Sequence, residues 1–284
     1  MRPPPGVVSG FTALLLVAGI TACGSSSDPT AIGAKTGSSS GTSTSSSAAD
    51  SGQGGSALFA SMAAAMATAK TVSVGFTTVT AAQQTTGRGS LRFGKTDYAA
   101  EMSMALPSLG KVRVVVQPKV LYMRLPAAAS LPAGRPWIKI QASSNDPLSK
   151  ALGPVMDKLQ QSFDPGRNLR ALTVIPKLTA AGTEALDGVQ TRKYTATVDL
   201  SDAAAKATGP LAEQFRTLVA GGMTTMDYTL WVDGKNLPRK FQTVTATAHG
   251  KVTATVTYRD WGKPVTIKVP PARQIASSAT LGGS

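Results

Sequence analysis

The sequence predicts an α+β fold, in which a curved antiparallel half-barrel sheet wraps over helices and encloses an apolar cavity. Two observations carry this prediction. Over many short stretches apolar residues alternate with polar ones, which is the pattern of a strand with one buried face. Over three longer stretches they recur every three or four residues, which is typical of an amphipathic helix. Because the apolar face of an antiparallel sheet must be covered, we expect the helices to lie against it.

The helical periodicity occurs in three separate regions. The first covers residues 56–70, where Ser56 is a suitable N-cap. The second covers residues 146–163 and begins at Pro147, which fits the first turn of a helix. The third covers residues 201–219. Each region carries a stripe of apolar side chains, so we expect each helix to pack one face against the sheet.

The alternating stretches predict eleven strands in an antiparallel meander that the helices interrupt. Turn-forming pairs such as Asp187-Gly188 separate the strands, and we place a further turn at Thr86-Gly87. The predicted strands lie at residues 72–76, 91–93, 98–104, 112–116, 121–125, 137–140, 183–186, 191–200, 225–232, 240–248 and 252–258.

Cys23, the only cysteine, follows a short cationic start and an apolar stretch over residues 11–20. That stretch has the length of an export signal and is shorter than the roughly 18 to 20 apolar residues that span a bilayer. Residues 20–23 (ITAC) have the form of a lipobox, whose cysteine becomes acylated, with palmitate among the expected acyl groups. We therefore predict a lipoprotein signal peptide over residues 1–22 and a lipid anchor on Cys23, at the extracytoplasmic face of the cell membrane. An ordinary signal cleavage that leaves a free thiol is the alternative.

The composition divides the rest of the chain into three parts. Residues 23–56 are mostly Ser, Gly, Thr and Ala, which cannot bury enough apolar surface to offset the entropy of ordering. We predict a disordered tether there, a single folded domain over residues 57–275, and a disordered tail over residues 276–284.

The chain carries 29 basic and 15 acidic side chains, a formal net charge of +14. Such an excess attracts anionic neighbours, including phospholipid and acidic envelope polymers, although a general solubility feature is the alternative. The basic residues are not clustered in the sequence, and only 5% of the residues are aromatic. We therefore predict no nucleic-acid partner.

Apolar residues on the inward sides of the predicted strands and helices are the candidates for lining the cavity. Such a cavity would accept acyl chains. Plain core packing is the alternative for each residue, because periodicity shows which face is buried and not whether the space behind it is filled. The candidates are Val74, Phe76, Leu91, Phe93, Met102, Met104, Val114, Val116, Leu121, Met123, Leu152, Met156, Leu159, Leu211, Phe215 and Leu218.

We predict no catalytic residue, no cofactor and no metal site, and thus not an enzyme. Residues 89–96 match the phosphate-loop pattern, but alternating stretches flank them where a helix should follow, so a hairpin turning at Gly94-Lys95 is the better interpretation. His249, the only histidine, stands in a predicted turn, and the acids are scattered singly, which disfavours a triad or a metal cluster. An enzyme built around His249 is the weakest alternative.

Three stretches together resemble a known family. Residues 258–272 (YRDWGKPVTIKVPPA) are similar to the terminal signature of the actinobacterial LppX/LprG-type lipoproteins. Residues 136–140 (PWIKI) resemble the central strand of that family, and residues 228–240, from YTLWVD to LPRK, resemble its hairpin. The resemblance spans about residues 57–275 and rests on the order of these motifs.

The resemblance implies a LolA/LolB-like fold, with an apolar pocket for the acyl chains of a lipid or lipoglycan that the protein carries across the envelope. It implies no catalytic residue, and it transfers only Cys23, as the lipidation site. An envelope export partner would load or unload such a carrier. Outward basic residues would favour anionic head groups, the candidates being Arg92, Lys111, Arg113 and Arg124, with ordinary solvated positions as the alternative. A non-carrier sensor or assembly lipoprotein, which binds a protein or glycan through the exterior of the sheet, is the alternative function.

Overall fold

The structure, a computed structural model of the 284-residue chain, describes residues 55–94, 98–106, 110–126, 131–141, 178–207, 209–247 and 250–276. In these ranges the chain forms three α-helices, which are α1 (Gly55–Ala69), α2 (Leu200–Lys206) and α3 (Gly209–Ala220). The strands in the same ranges are β1 (Thr71–Val79), β2 (Gln84–Arg92), β3 (Ala99–Leu106), β4 (Gly110–Gln117), β5 (Val120–Arg124), β6 (Trp137–Gln141), β7 (Thr179–Leu186), β8 (Val189–Asp199), β9 (Thr225–Asp233), β10 (Pro238–Thr247), β11 (Gly250–Arg259) and β12 (Ile275–Ala276). A single 3₁₀ turn, Ala272–Gln274, precedes β12.

All twelve of these strands belong to one sheet, in the order β12-β6-β5-β4-β3-β2-β1-β11-β10-β9-β8-β7. The first strand of the chain thus lies in the middle of the sheet. The chain runs outward from it as a meander to β6, and β7 to β11 then build inward from the other edge until β11 pairs with β1. Every pairing is antiparallel except that of β12 with β6. Because β12 and β7 are not paired with each other, the curved sheet stays unclosed.

The two faces of the sheet differ in polarity because side chains alternate along each strand. In β1 the side chains of Val72, Val74 and Phe76 are buried on one face, which we call the inner face. Ser73 and Thr77 point to the other face, which we call the outer face. The alternation that predicted the strands therefore also sorts their side chains correctly between the two faces.

The described helices cover the inner face of only one half of the sheet. Phe59 of α1 packs in a cluster with Leu230 and Val232 of β9, and Phe215 of α3 packs in a cluster with Val198 of β8. Helix α1 ends where Lys70 adopts a left-handed backbone conformation, with φ of 63°, and the chain turns directly into β1. Packing of the described helices is therefore concentrated over β8 to β11 and β1.

The segment at residues 260–274, which we call the strap, links β11 to β12. Near its start the backbone N–H of Gly262 donates to the carbonyl of Thr71 at 3.0 Å. Further along, Ile267 packs on the outer face against Val115 and Trp137. The strap thus crosses the outer face before Ile275 pairs with Trp137 of β6. It explains why Val115, an outer-face residue, has no exposed surface.

All eleven predicted strands are present, and the first predicted helix is α1. Two predictions need correction. The pair Thr86-Gly87 lies inside β2 and not in a turn, which is made instead at residues 80–83, where the Thr80 N–H donates to the Gln83 carbonyl at 2.9 Å. The third helical region is two helices, because α2 ends with Ala207 in an extended conformation. Neither the strap nor β12 was predicted from the sequence.

Candidate functional site

The inner face of β1 to β6 carries a continuous apolar surface, made of three rows of side chains that run across the strands. We call it the apolar inner surface. The central row follows the strand register from Val74 through Gly89, Met102, Val114 and Met123 to Ile138. One flanking row comprises Phe76, Gly87, Met104 and Val112. The other comprises Val72, Leu91, Ala100, Val116, Leu121 and Ile140.

The middle of the central row is less covered than most of the flanking residues. Met102, Val114 and Met123 are half-buried, whereas Met104 is 7% and Ile140 is 1% exposed. The two clusters over β3 to β6 contain no residue of the described helices. Apolar side chains with partly open surface, in the middle of a buried face, are the kind of surface that an apolar ligand can cover.

Two glycines of β2 shape this surface. A methyl group on Gly87 would overlap the Phe76 ring, and one on Gly89 would overlap the main-chain carbonyl of Glu101 and press on Met102. Glycine in a strand often marks such a close approach. Because neither glycine has a side chain, Phe76 of β1 and Met102 of β3 can lie directly over the backbone of β2.

Aromatic side chains close one end of the surface. The Trp261 ring stacks against Phe93 and Tyr258, with centroids 6.1 and 5.9 Å apart, and its Nε1–H donates to the Pro238 carbonyl at 2.8 Å. Burial raises the pKa of Tyr258 to about 12. Since the strap supplies Trp261, this end is fixed by the same segment that crosses the outer face.

The other half of the inner face is a packed core. Tyr228 of β9 is 7% exposed and lies 5.7 Å from the Phe241 ring, and burial raises its pKa to about 12. Phe215 and Leu218 of α3 pack in this cluster. The structure therefore separates a helix-covered half from the apolar inner surface.

Most of the predicted lining residues come together on the apolar inner surface. Those in its rows are Val74, Phe76, Leu91, Met102, Met104, Val114, Val116, Leu121 and Met123. Phe93 lies at its aromatic end, and Phe215 and Leu218 lie instead in the helix-covered half. Leu211 belongs to α3. Cys23, Leu152, Met156 and Leu159 lie outside the described residues, as do the predicted helix at 146–163 and His249.

Several residues of the surface were not singled out from the sequence. They are Val72, Ala100, Val112, Ile138 and Ile140. Val72, Ala100 and Val112 each stand two residues from a predicted lining residue on the same strand. Ile138 and Ile140 are paired with the predicted lining residues Met123 and Leu121 of the neighbouring strand. The period of two could therefore have identified them.

The polar features offer little for catalysis in the described part of the chain. Residues 89–92 of the phosphate-loop pattern are strand residues of β2, whose next pairing is with β3, so no helix follows to hold a phosphate. Asp227 is exposed on the outer face and accepts a hydrogen bond from Thr197 at 2.6 Å. Among the described residues there is no group of three or more metal-ligating side chains. None of the described helices is long and apolar enough to cross a bilayer.

Asp233 makes the turn between β9 and β10. Its carboxylate accepts hydrogen bonds from the backbone N–H groups of Lys235 and Leu237 at 2.8 and 3.0 Å, and pairs with the Arg239 guanidinium at 2.7 Å. Only 4% of its side chain is exposed. Asp233 is therefore a buried structural residue of this turn.

No protein-family model matches the chain. It is 29% identical, over 150 residues, to an uncharacterised 31.2 kDa protein from the rplA-rplJ intergenic region of Streptomyces griseus. The match covers 51% of this chain, which spans about half, 49%, of the length of that relative.

Three solved structures are similar to the chain at low identity. The lipoprotein LppX of Mycobacterium tuberculosis is 17% identical, with 75% of this chain and 98% of LppX covered and a TM-score of 0.47. LprF from Mycobacterium bovis is 17% identical, with 76% of this chain and 96% of LprF covered and a TM-score of 0.49. The MucA/MucB complex of Pseudomonas aeruginosa is 13% identical, with 78% of this chain and 59% of the matched chain covered and a TM-score of 0.34. LppX and LprF are of the type that the sequence motifs resemble; at these identities the likeness is one of fold, and what this chain binds is argued from its own residues.

Proposed function

We propose that the chain is a membrane-anchored lipoprotein of the cell envelope, which binds the acyl chains of a lipid or lipoglycan on the apolar inner surface and carries that lipid between membrane and envelope. The observation that carries the proposal is the central row of that surface. Met102, Val114 and Met123 are apolar and half-buried, and no residue of the described helices packs in the clusters over β3 to β6. An acyl chain laid across the strands would remove this apolar area from water.

The energetics of such binding are favourable. Burial of a methylene group gains about 0.8 kcal/mol, so a chain with about a dozen buried methylenes gains roughly 10 kcal/mol before the cost of association. That gain offsets what the acyl chain loses when it leaves the apolar interior of a bilayer, so transfer between bilayer and protein is nearly balanced and requires no covalent step. The methionine side chains on the surface suit this role, because a flexible thioether can adapt to chains of different shape.

The sequence before the sheet supports the anchoring part of the proposal. Residues 20–23 have lipobox form, and acylation of Cys23 together with the 23–56 tether would keep the domain beside the membrane while letting it move. An envelope export partner would then pass the lipid to or from the carrier. The anchored domain would lie at the extracytoplasmic face of the cell membrane.

Lipid uptake by the full chain with Cys23→Ala tests the proposal, because this variant has no covalent acyl group to fill its own surface. Native mass spectrometry and extraction are expected to show bound lipid, and a fluorescent long-chain fatty acid is expected to bind. Val114→Asp should abolish uptake, since a carboxylate on the surface cannot be buried without a partner. Ser103→Asp places the same charge on the outer face of the neighbouring strand and should leave uptake unchanged.

Circular dichroism shows whether both variants keep the sheet. If the Cys23→Ala chain carries no lipid and takes up no labelled acyl chain, the carrier proposal is wrong. A non-carrier lipoprotein that binds a protein or glycan through the outer face would then replace it.

A further inference from the structure

The outer face of β2 to β6 carries a strong excess of positive charge. The strand register places all the basic side chains of these strands on that face, and they are Arg88, Arg92, Lys111, Arg113, Arg124 and Lys139. The only acidic residue in the same strands is Glu101. Residues that are scattered in the sequence are thus gathered into one patch by the fold.

Glu101 does not neutralise this patch as a whole. Its carboxylate pairs with Arg113 at 2.6 Å and lies 3.4 Å from the backbone N–H of Lys268 in the strap. Arg88, Arg124 and the two lysines at 111 and 139 are exposed, and none of them forms an ion pair within the described residues. At least four cations therefore face solvent on one side of five strands.

Three of the arginines stand in one row. Arg88, Ser103, Arg113 and Arg124 face one another across adjacent strands, which places Arg88 about 15 Å from Arg124 at the usual strand spacing. The same row continues beyond β1 to Lys240 and Lys193, whose ammonium groups lie 4.3 and 5.5 Å from the Trp231 ring centroid. The positive charge therefore extends across most of the width of the sheet.

The strap adds both charge and an apolar contact to this face. Lys268 and Arg273 are exposed, and Val269 between them is 41% exposed. Asp260, at the start of the strap, is paired with Lys263 at 2.6 Å. An exposed aliphatic side chain beside lysine and arginine is typical of a surface that meets a membrane interface.

We propose that this basic outer face, made of Arg88, Lys111, Arg124, Lys139, Lys268 and Arg273, docks on the anionic surface of a phospholipid bilayer. The face is broad, and within the described residues of β2 to β6 and the strap its acidic side chains, Glu101 and Asp260, are each paired with a basic residue, which suits an extended anionic surface. Within the described residues the exposed large apolar side chains are Val79 and Val269, so there is no aromatic platform on which nucleic-acid bases could stack. Charge complementarity and the position of Val269 both favour lipid head groups.

Docking would also orient the carrier. Because the apolar inner surface lies on the opposite face of the same sheet, it would be turned away from the bilayer to which the domain is docked. Lipid would then enter or leave along the edges of the sheet or through a partner on the envelope side. This consequence rests on the proposed function, whereas the docking itself does not.

The test uses the mature lipidated chain in vesicles, with a single reporter thiol on the outer face. Ala105→Cys is suitable, because Ala105 is exposed, pairs with Lys111, and becomes the only free thiol once Cys23 is acylated. A fluorophore on this thiol should be quenched by spin-labelled head groups in vesicles that contain phosphatidylglycerol. It should not be quenched in phosphatidylcholine vesicles, and high salt should release it, because the Debye length falls to about 3 Å at 1 M.

Charge reversal gives the quantitative comparison. Each basic residue near an anionic surface is worth about a fivefold change in binding, so the two cations lost in Arg88→Glu with Arg124→Glu should lower the docking equilibrium constant by at least about 25-fold, and the added carboxylates lower it further. Lys206→Glu with Lys235→Glu has the same net charge and changes exposed residues of α2 and of the β9–β10 turn, so docking should be nearly unaffected. A reporter at Ala220→Cys, at the end of α3, should stay unquenched throughout.

Four outcomes overturn the proposal. Equal quenching in neutral and anionic vesicles, equal effects of the two double variants, or quenching of both reporters would each exclude docking through this face. Binding of a soluble polyanion without binding to anionic vesicles would show that the face serves an anionic polymer instead. If the chain fails to enter any vesicle, the acylation of Cys23 is wrong, and co-sedimentation of the same chain with anionic vesicles then decides the docking question alone.

Discussion

Two methionines of the same strand provide the sharpest test of whether the apolar inner surface is open. Met102 and Met104 both point to the inner face of β3 and differ by one step of the strand period. Met104 is 7% exposed and packs with Phe76, Val112 and Val256, whereas Met102 is half-buried at the centre of the surface. Alanine at each position removes the same atoms from two different surroundings.

The structure gives the expected magnitudes. Methionine to alanine in a packed core costs about 2 to 5 kcal/mol in the free energy of unfolding, and Met104→Ala should fall in that range. Complete burial of a methionine is worth about 1.5 to 3 kcal/mol, so the loss of a half-buried one in Met102→Ala should cost about 1 kcal/mol. Acyl binding should respond in the opposite order. Met102→Ala should weaken it by about 2 kcal/mol, roughly 30-fold, if the side chain covers two to three methylene groups of the ligand.

Urea denaturation of the ligand-free chain measures the two changes in the free energy of unfolding, with equal m-values required for the comparison. Titration with the fluorescent fatty acid measures the change in acyl binding. Both assays use the Cys23→Ala background. The reasoning is refuted if Met102→Ala destabilises the ligand-free chain as much as Met104→Ala and leaves fatty-acid binding unchanged. The surface would then be filled by the protein itself.

Three further predictions concern the scaffold. Asp233→Ala should lower the free energy of unfolding by about 3 kcal/mol in urea denaturation, because it leaves Arg239 and two backbone N–H groups without their buried carboxylate, and a loss below 0.5 kcal/mol would contradict this. Gly89→Ala should cost about 1 to 3 kcal/mol in the same assay, because the added methyl meets a main-chain carbonyl of β3, and an unchanged midpoint would show that the strands can separate. The pKa of Tyr228 is about 12 in the folded chain and about 10 when unfolded, so the folded state holds this proton more tightly and loses stability as pH rises from 10 to 12. Tyr228→Phe should therefore flatten the decline measured over that range by about 2 to 3 kcal/mol, and an identical slope would contradict the assignment.

The strands could be predicted from the sequence because their period of two is a local property. In β4 the run Val112, Arg113, Val114 shows which side chains point inward without any knowledge of the neighbouring strands. What could not be predicted is the register between strands. That Arg88, Arg113 and Arg124 stand in one row depends on pairings that join residues far apart in the chain. The outward direction of the basic residues was thus predictable, and their gathering into one patch was not.

The failures have a common physical cause, which is that long-range contacts override local signals. Gly87 indicated a turn by its residue type, but the Phe76 ring lies over it and keeps it within a strand. In the strap, residues 265–269 (VTIKV) alternate as in a strand but form none, and the path of the strap is set by apolar contacts of Ile267 with residues more than a hundred positions earlier. Which half of the inner face the described helices cover follows from where they pack, and periodicity does not reveal that.

Strand β4 shows why the two proposed surfaces depend on each other. Its inner side chains, Val112, Val114 and Val116, belong to the apolar inner surface. Lys111 and Arg113, which alternate with the first two valines, belong to the outer face. A register slip of one residue would turn the lysine and the arginine toward the apolar side and the valines toward solvent, at the cost of burying charges without partners. The charged residues therefore fix the register that builds the apolar surface, whatever they bind. Substitutions that remove outer charge must accordingly be judged by both docking and sheet stability, and the exposed pair Arg88 and Arg124 separates the two effects better than Arg113, which is half-buried and bonded to Glu101.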